Sequence, residues 1–145
     1  MNIRELEYND FHKFYINLLS QLSFSSNKIE EKEWSLFFEK YKNNDNHHIL
    51  VIENNENNKI IASITLLIEN KVIRNFGKVA HIEDLIIDTN YRKLGLGKKL
   101  IEYCVFLSNH KYLCYKIILN CDKSLKNFYE KFSFKQKNIE MSLYF

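Results

Sequence analysis

Apolar residues at Phe11, Phe14, Tyr15, Leu18, Leu19 and Leu22 recur at the i, i+3, i+4, i+7 spacing of one helix face, and Asp10 stands where its side chain can cap the first turn. Asn27 followed by Glu30 resembles a capping box for a second helix, whose apolar stripe is Trp34, Phe37, Phe38 and Tyr41. These aromatics are read as core. The pattern then shortens to that of strands over residues 48–53, 59–69 and 78–87, separated by polar turns at 54–58 and around 70–77. A helix is predicted from just after Gly95 to about Asn109. Residues 113–121, rich in Ile, Leu and Tyr, read as a buried strand. Asp122 or Ser124 starts a short helix carrying Leu125, Phe128, Tyr129 and Phe132, and residues 140–145 read as a last strand. With room for a short strand near Ile3–Leu6, the order α α β β β α β α β predicts an α/β (α+β) fold with a mixed sheet and helices on both faces.

Composition narrows the class. The 145 residues have the length of one domain, with no repeat or linker, so residues 1–145 are read as a single unit. Hydrophobic residues make up 46% and aromatics 14%, which excludes a disordered chain. A net charge of +3, from 21 basic and 18 acidic residues, carries no nucleic-acid signal. Cys104, Cys114 and Cys121 lack CxxC spacing and fit a reducing compartment better than a disulfide framework or a zinc site, so no metal is expected. No apolar run reaches the roughly 18 residues of a membrane span, and the charged N-terminus is unlike a signal peptide. A cytoplasmic location, with no membrane partner, is the expectation. The Asn-rich stretches 43–46 and 54–58 read as polar loops without a function.

The chemistry is concentrated where the apolar strand Leu85-Ile86-Ile87 runs through Asp88 into Arg92-Lys93-Leu94-Gly95-Leu96-Gly97-Lys98 and opens a helix. Gly95 and Gly97 let backbone approach a ligand closely. The first amides of a helix lack internal partners, and with the helix dipole they form an anion site to which Arg92, Lys93 and Lys98 add charge. A pyrophosphate suits such a site. The Walker A pattern is absent, and a dinucleotide GxGxxG fails because Leu100 occupies the third glycine position.

Arg92-x-x-Gly95-x-Gly97 resembles the acetyl-CoA pyrophosphate loop of the GNAT N-acetyltransferase superfamily, and the element order agrees with that fold, whose central sheet is mixed but mostly antiparallel. His81-Ile82-Glu83-Asp84, the loop itself, residues 114–119, Cys121 and Phe128-Tyr129-Glu130-Lys131 resemble more closely one family, the glucosamine 6-phosphate N-acetyltransferases. That closer resemblance covers roughly residues 59–145.

The resemblance implies direct acetyl transfer from the cosubstrate acetyl-CoA to the 2-amino group of glucosamine 6-phosphate, a step toward UDP-N-acetylglucosamine. The pantetheine arm would pair with Leu85, Ile86 and Ile87 like an added strand, the Ile86 N–H would hold the oxyanion, and the sheet would splay there to admit the thioester. Arg92 to Lys98, Asn127, Tyr129 and Lys131 would bind the cosubstrate, with Tyr129 protonating the departing thiolate. Glu83 and Asp84 would hold the sugar or take the amine proton. Lys71, Val72, Ile73, Arg74, Tyr115, Lys116, Asn120 and Tyr144 would line the sugar-phosphate pocket. Asn120 stands where relatives usually carry Asp or Glu. Tyr144 stands where many carry an arginine donated by the neighbouring subunit of a homodimer. Both departures remove a charge from the implied sugar site. A GNAT enzyme for another amine, a non-catalytic CoA-binding regulator and an acyl-enzyme route through Cys114 or Cys121 stand as alternatives.

Overall fold

Five strands pair in chain order in the computed structural model, which describes residues 2–22 and 29–145: β1 (Ile3–Glu5), β2 (His47–Asn54), β3 (Lys59–Asn70), β4 (Lys78–Ile87) and β5 (Cys114–Leu119). The first four are antiparallel neighbours and β5 runs parallel to β4, so the sheet is mixed and mostly antiparallel, as expected. The crossover from β4 to β5 contains helix α3 (Leu96–Phe106), continued by a π-helical turn over Leu107–Lys111.

Each face of the sheet carries its own core, which is what alternation along β2 requires. Leu50 and Ile52 join Ile64, Leu66, Ala80 and Ile82 against Leu96, Leu100, Ile101 and Cys104 of α3. Ile49 and Val51 turn the other way, onto Tyr15 and Leu18 of α1 (Tyr15–Leu19) and Trp34 and Tyr41 of α2 (Glu31–Lys42). Trp34 and Tyr41 of the aromatic stripe of α2 are core, as expected, and Phe38 packs against them half-buried, whereas Phe37 is exposed. Trp34 Nε1 also donates to the Tyr8 carbonyl at 3.0 Å, and the Tyr41 hydroxyl donates to Glu5 at 2.6 Å, so the polar ends of both rings are satisfied.

The first predicted helix is broken. A 3-10 turn, Tyr8–His12, is followed by Phe14 at φ 70°, and α1 begins only after it. Asp10 is not the N-cap of α1; it stands at the third position of the 3-10 turn, where its carboxylate forms half of a capping box with Glu7. It is fully buried and accepts two hydrogen bonds from Arg4 at 2.7 and 2.8 Å and one from the Glu7 N–H at 2.8 Å. The break leaves the Lys13 carbonyl free to accept the Ile60 N–H of β3 at 2.8 Å, a sheet contact that a continuous helix would forbid. The apolar stripe survives the break except at Leu22, which is exposed. Asn27 lies outside the described residues; at the observed start of α2 the Glu30 N–H donates to the Glu33 carboxylate at 2.9 Å.

Two further expectations change. The strand at 113–121 is a half-exposed edge, Cys114–Leu119, because β5 has β4 on one side only. Lys116, in the middle of this strand, is exposed. Residues 140–145 form no strand within the chain, and Met141, Leu143, Tyr144 and Phe145 are exposed.

Candidate active site

Two features of β4 shape the site. Its parallel pairing with β5 stops at Ile82↔Leu119, although β4 continues to Ile87. Residues 83–87 therefore pair with β3 alone among the described strands, and the edge facing away from β3 is open. This is the expected splay. The second feature is a bulge. The β3–β4 register jumps from Ser63↔Ile86 to Thr65↔Glu83, with Asp84 at φ 50°, a conformation Asp tolerates better than most residues. The bulge reverses the alternation: Ala80 and Ile82 face the α3 core before it, Leu85 and Ile87 take that face after it, and Ile86 turns into the α1/α2 core.

From Ile87 the chain enters the loop expected to hold a pyrophosphate. Asp88 is buried; its N–H donates to the Ile61 carbonyl at 2.9 Å, and its carboxylate accepts the Asn90 N–H at 2.9 Å. The Tyr91 hydroxyl accepts from Asn54 at 3.0 Å and Asn57 at 3.3 Å, so the Asn-rich turn, to which no function was assigned, braces the base of the loop. Arg92 Nε donates to the Ile87 carbonyl at 3.3 Å. Arg92, Lys93, Leu94 and Lys98 are exposed, whereas Leu96 is buried under the first turn of α3.

The two glycines play different parts. Gly95 is the N-cap of α3 at φ 77°, and a Cβ there would meet nothing within 4 Å. Its backbone conformation, not crowding, selects glycine. A Cβ on Gly97 would stand 3.4 Å from Phe128 of α4 (Lys126–Glu130) and 3.9 Å from Ile87, ordinary contact distances, so crowding does not demand glycine there. Gly95→Val is expected to weaken CoA binding about tenfold or more, because a β-branched residue is strongly disfavoured at positive φ and the helix amides would move with it. Calorimetry on the folded variant checks this; unchanged affinity would remove the loop from the binding site.

Phe128 and Tyr129 meet edge to face with centroids 5.0 Å apart. Tyr129 is buried in the core that includes Leu85, Ile87 and Leu119, beside the two strand ends that part. Burial raises its phenol pKa above the usual value, and Cys121 raises it further. Asn127 and Lys131 are exposed one turn apart on and just beyond α4. Cys104 is buried and its thiol is pushed up to about 12; burial also raises Cys114. Neither is an activated nucleophile. Cys121 lies beyond the end of β5, exposed, rather than in an apolar strand.

Of the residues expected at the sugar phosphate, Arg74, Tyr115 and Lys116 are brought together. The turn Ile73–Phe76 places Arg74, Asn75 and Phe76 at positive φ, with Val72, Ile73 and Phe76 exposed. It folds against β5: the Arg74 guanidinium lies 5.8 Å from the Tyr115 ring centroid, and Lys116 Nζ reaches the same ring at 5.8 Å. Gly77 allows this approach, since a Cβ there would sit 2.9 Å from Tyr115. Glu83 is half-buried, and its carboxyl is raised by desolvation first and by neighbouring Asp84 second, with Glu140 of the tail adding to it. Asp84 and Asn120 are exposed where β4 and β5 diverge. Tyr144 is not brought to this group within the chain.

Sequence reasoning gave no role to an ionic chain on this face. Glu69 accepts from Lys71 and, at 2.9 Å, pairs with His81 Nε2. Lys71 is thus already paired, which leaves Arg74 and Lys116 as the freer cations. The signal was present in the hairpin, where Glu69 opposes Val79 and His81 opposes Leu67, a diagonal pair on one face.

A splayed β4, a basic loop capped by Gly95 at the head of α3 and a buried tyrosine beside the opening are the arrangement expected of an acetyl-CoA-dependent acetyltransferase. The profile of the Acetyltransferase (GNAT) family matches residues 9–134. Glucosamine 6-phosphate N-acetyltransferase of Arabidopsis thaliana is 42% identical over 146 residues, covering 99% of this chain and 95% of the relative. The Dictyostelium discoideum glucosamine 6-phosphate N-acetyltransferase 1 is 38% identical, covering 99% and 90%. The crystal structure of the Arabidopsis enzyme superposes with a TM-score of 0.94 at 40% identity, covering 99% of this chain and 97% of that one. The chain belongs to the glucosamine 6-phosphate N-acetyltransferases of the GNAT family.

Proposed function

We propose that this protein transfers the acetyl group of acetyl-CoA to the 2-amino group of D-glucosamine 6-phosphate, giving N-acetyl-D-glucosamine 6-phosphate by direct attack. The observation that carries the reading is the opening between β4 and β5 beyond Ile82 and Leu119, with Tyr129 packed beside it; Arg74 and Lys116 stand on Tyr115, on the paired side of that opening. The thioester enters beside Leu85, Ile86 and Ile87, whose free edge pairs with pantetheine, while the amides opening α3, together with Arg92, Lys93 and Lys98, hold the pyrophosphate. The Asp88 N–H donates to Ile61 and Ser63 opposes Ile86, so alternation turns the Ile86 N–H toward β3; the Ile87 N–H, on the open edge, takes its place as the oxyanion donor, and Asn127 and Lys131 flank the CoA on α4. Glu83, its basicity raised by burial, accepts the amine proton or a sugar hydroxyl; Asp84 and Asn120 border the ring. Lys71, Val72, Ile73, Arg74, Tyr115 and Lys116 surround the phosphate. The residues do not call for a metal: the acyl group is activated as a thioester and the oxyanion has a backbone donor. Thiol release from acetyl-CoA with glucosamine 6-phosphate, measured against a panel of other amines, tests the assignment; a faster reaction with another amine would reassign the acceptor.

The same reading makes the protein a cytoplasmic enzyme of UDP-N-acetylglucosamine biosynthesis, consistent with three unpaired cysteines. No helix among the described residues is long and apolar enough to cross a membrane. It also makes the protein a homodimer. Ile139, Met141, Leu143, Tyr144 and Phe145 are exposed in the tail, and Tyr115 and Ile118 are exposed on the edge strand. Exposed apolar groups in such number mark an interface. Tyr144 would then reach the acceptor site of the partner. Light scattering at micromolar concentration is expected to give a dimer mass, and removal of residues 139–145 to yield an impaired monomer. A fully active monomer would count against a shared site.

A further inference from the structure

Gln21 lies in the turn after α1, in a part of the chain to which no role in binding has been given. Its side-chain amide meets the entry of the pyrophosphate loop with both ends. Nε2 donates to Asp88 Oδ2 at 2.9 Å, and Oε1 accepts the Thr89 N–H at 3.1 Å. A carboxylate offers only acceptors and a backbone N–H only a donor, so one amide orientation satisfies both. The other Asp88 oxygen accepts the Asn90 N–H, and the Asp88 carbonyl accepts the Tyr91 N–H at 2.9 Å. Gln21 thus closes a hydrogen-bonded ring around the four residues that precede Arg92.

Packing does not replace this contact. A cavity of about 360 Å³, lined in part by Phe14, Gln21, Lys59, Asp88 and Tyr91, lies beside the clamp. The two hydrogen bonds tie the end of α1 to the loop across the rim of this cavity. A loop that must be ordered by its ligand binds more weakly than one held ready.

We propose that Gln21 is a positioning residue for the cosubstrate: its amide clamps Asp88 and Thr89 and so holds the pyrophosphate loop in its binding conformation. This rests on the reading of residues 92–98 as the acetyl-CoA pyrophosphate site. Gln21 touches neither the thioester nor the acceptor, so its loss acts on binding and leaves the chemical step alone.

The test uses the full-length protein, calorimetry with CoA and steady-state kinetics. Gln21→Ala is expected to raise the Kd for CoA, and the KM for acetyl-CoA with it, about three- to tenfold, with kcat at saturation little changed. Gln21→Glu should be worse at neutral pH, since it sets one carboxylate against another. Asp88→Asn alone turns an acceptor into a donor facing the Gln21 amide. In the double variant Gln21→Glu/Asp88→Asn, the amide at position 88 donates to the carboxylate at position 21, which still accepts the Thr89 N–H. The double variant should recover affinity lost by either single one, which assigns the effect to this contact, while a raised KM at unchanged kcat in Gln21→Ala is the outcome that a merely structural role does not predict. An unchanged Kd in Gln21→Ala, or a double variant no better than the weaker single one, overturns the proposal. A wild-type protein that binds no CoA overturns the reading of the loop instead, and the proposal with it.

Discussion

Tyr129→Phe is expected to lower kcat about 10²–10⁴-fold, the range for losing a positioned general acid, while CoA affinity changes little. Phenylalanine keeps the packing against Phe128 and Phe134, so the variant should fold, and only the hydroxyl is lost. In the ground state the thioester sulfur carries little charge; it gains charge as the tetrahedral intermediate collapses, and a donor there acts mainly on the transition state. Burial strengthens the case. It raises the Tyr129 pKa above its ordinary value near 10, so the phenol is protonated throughout the neutral range and can donate. The sign follows: activity that needs the protonated phenol is retained as pH rises and lost only above pH of about 10. Stopped-flow and steady-state kinetics of the two proteins across pH decide the matter. Equal activity would leave water as the proton source and Tyr129 as a packing residue.

A comparably large effect is expected at the phosphate. Charge-assisted hydrogen bonds contribute about 1.5–3 kcal/mol each, so two of them should favour glucosamine 6-phosphate over glucosamine by about a hundredfold or more in kcat/KM. Arg74 and Lys116 are the candidates, because the Lys71 ammonium is engaged by Glu69. Arg74 sits at φ 58°, where alanine would be strained, so the informative change is Arg74→Asn, which tolerates the left-handed conformation and removes the charge. It should reduce kcat/KM for the phosphorylated sugar about tenfold or more and leave glucosamine nearly unaffected. A wild type that acetylates both sugars equally would mean that no phosphate pocket exists here, and the acceptor would be a different amine.

The free edge of β5 and the tail show where local pattern and tertiary surroundings part. Read along the chain, residues 140–145 alternate well enough to be a strand. Within the chain they find no partner, since a strand is defined by its neighbour's hydrogen bonds and not by its own pattern. Lys116 shows the converse. Its strand looks buried by composition, yet an edge strand with one neighbour leaves it in solvent.

What the sequence determined by itself is what local rules control. Period and turn chemistry located β2, β3, β4 and α3, because side-chain alternation and helix spacing depend on residues a few positions apart. Gly95 at the head of α3 was legible for the same reason, and the motifs around His81–Asp84 and Phe128–Lys131 pointed to the family. Only the tertiary structure decided the rest. The break at Phe14 exists because Lys13 must reach β3, and the bulge at Asp84 because β4 must change face as β5 leaves it. The pairing of Lys71 with Glu69 and of Gln21 with Asp88 joins residues whose meeting depends on how the sheet is crossed and covered. Such contacts are set by packing and register between distant segments, which no local pattern encodes.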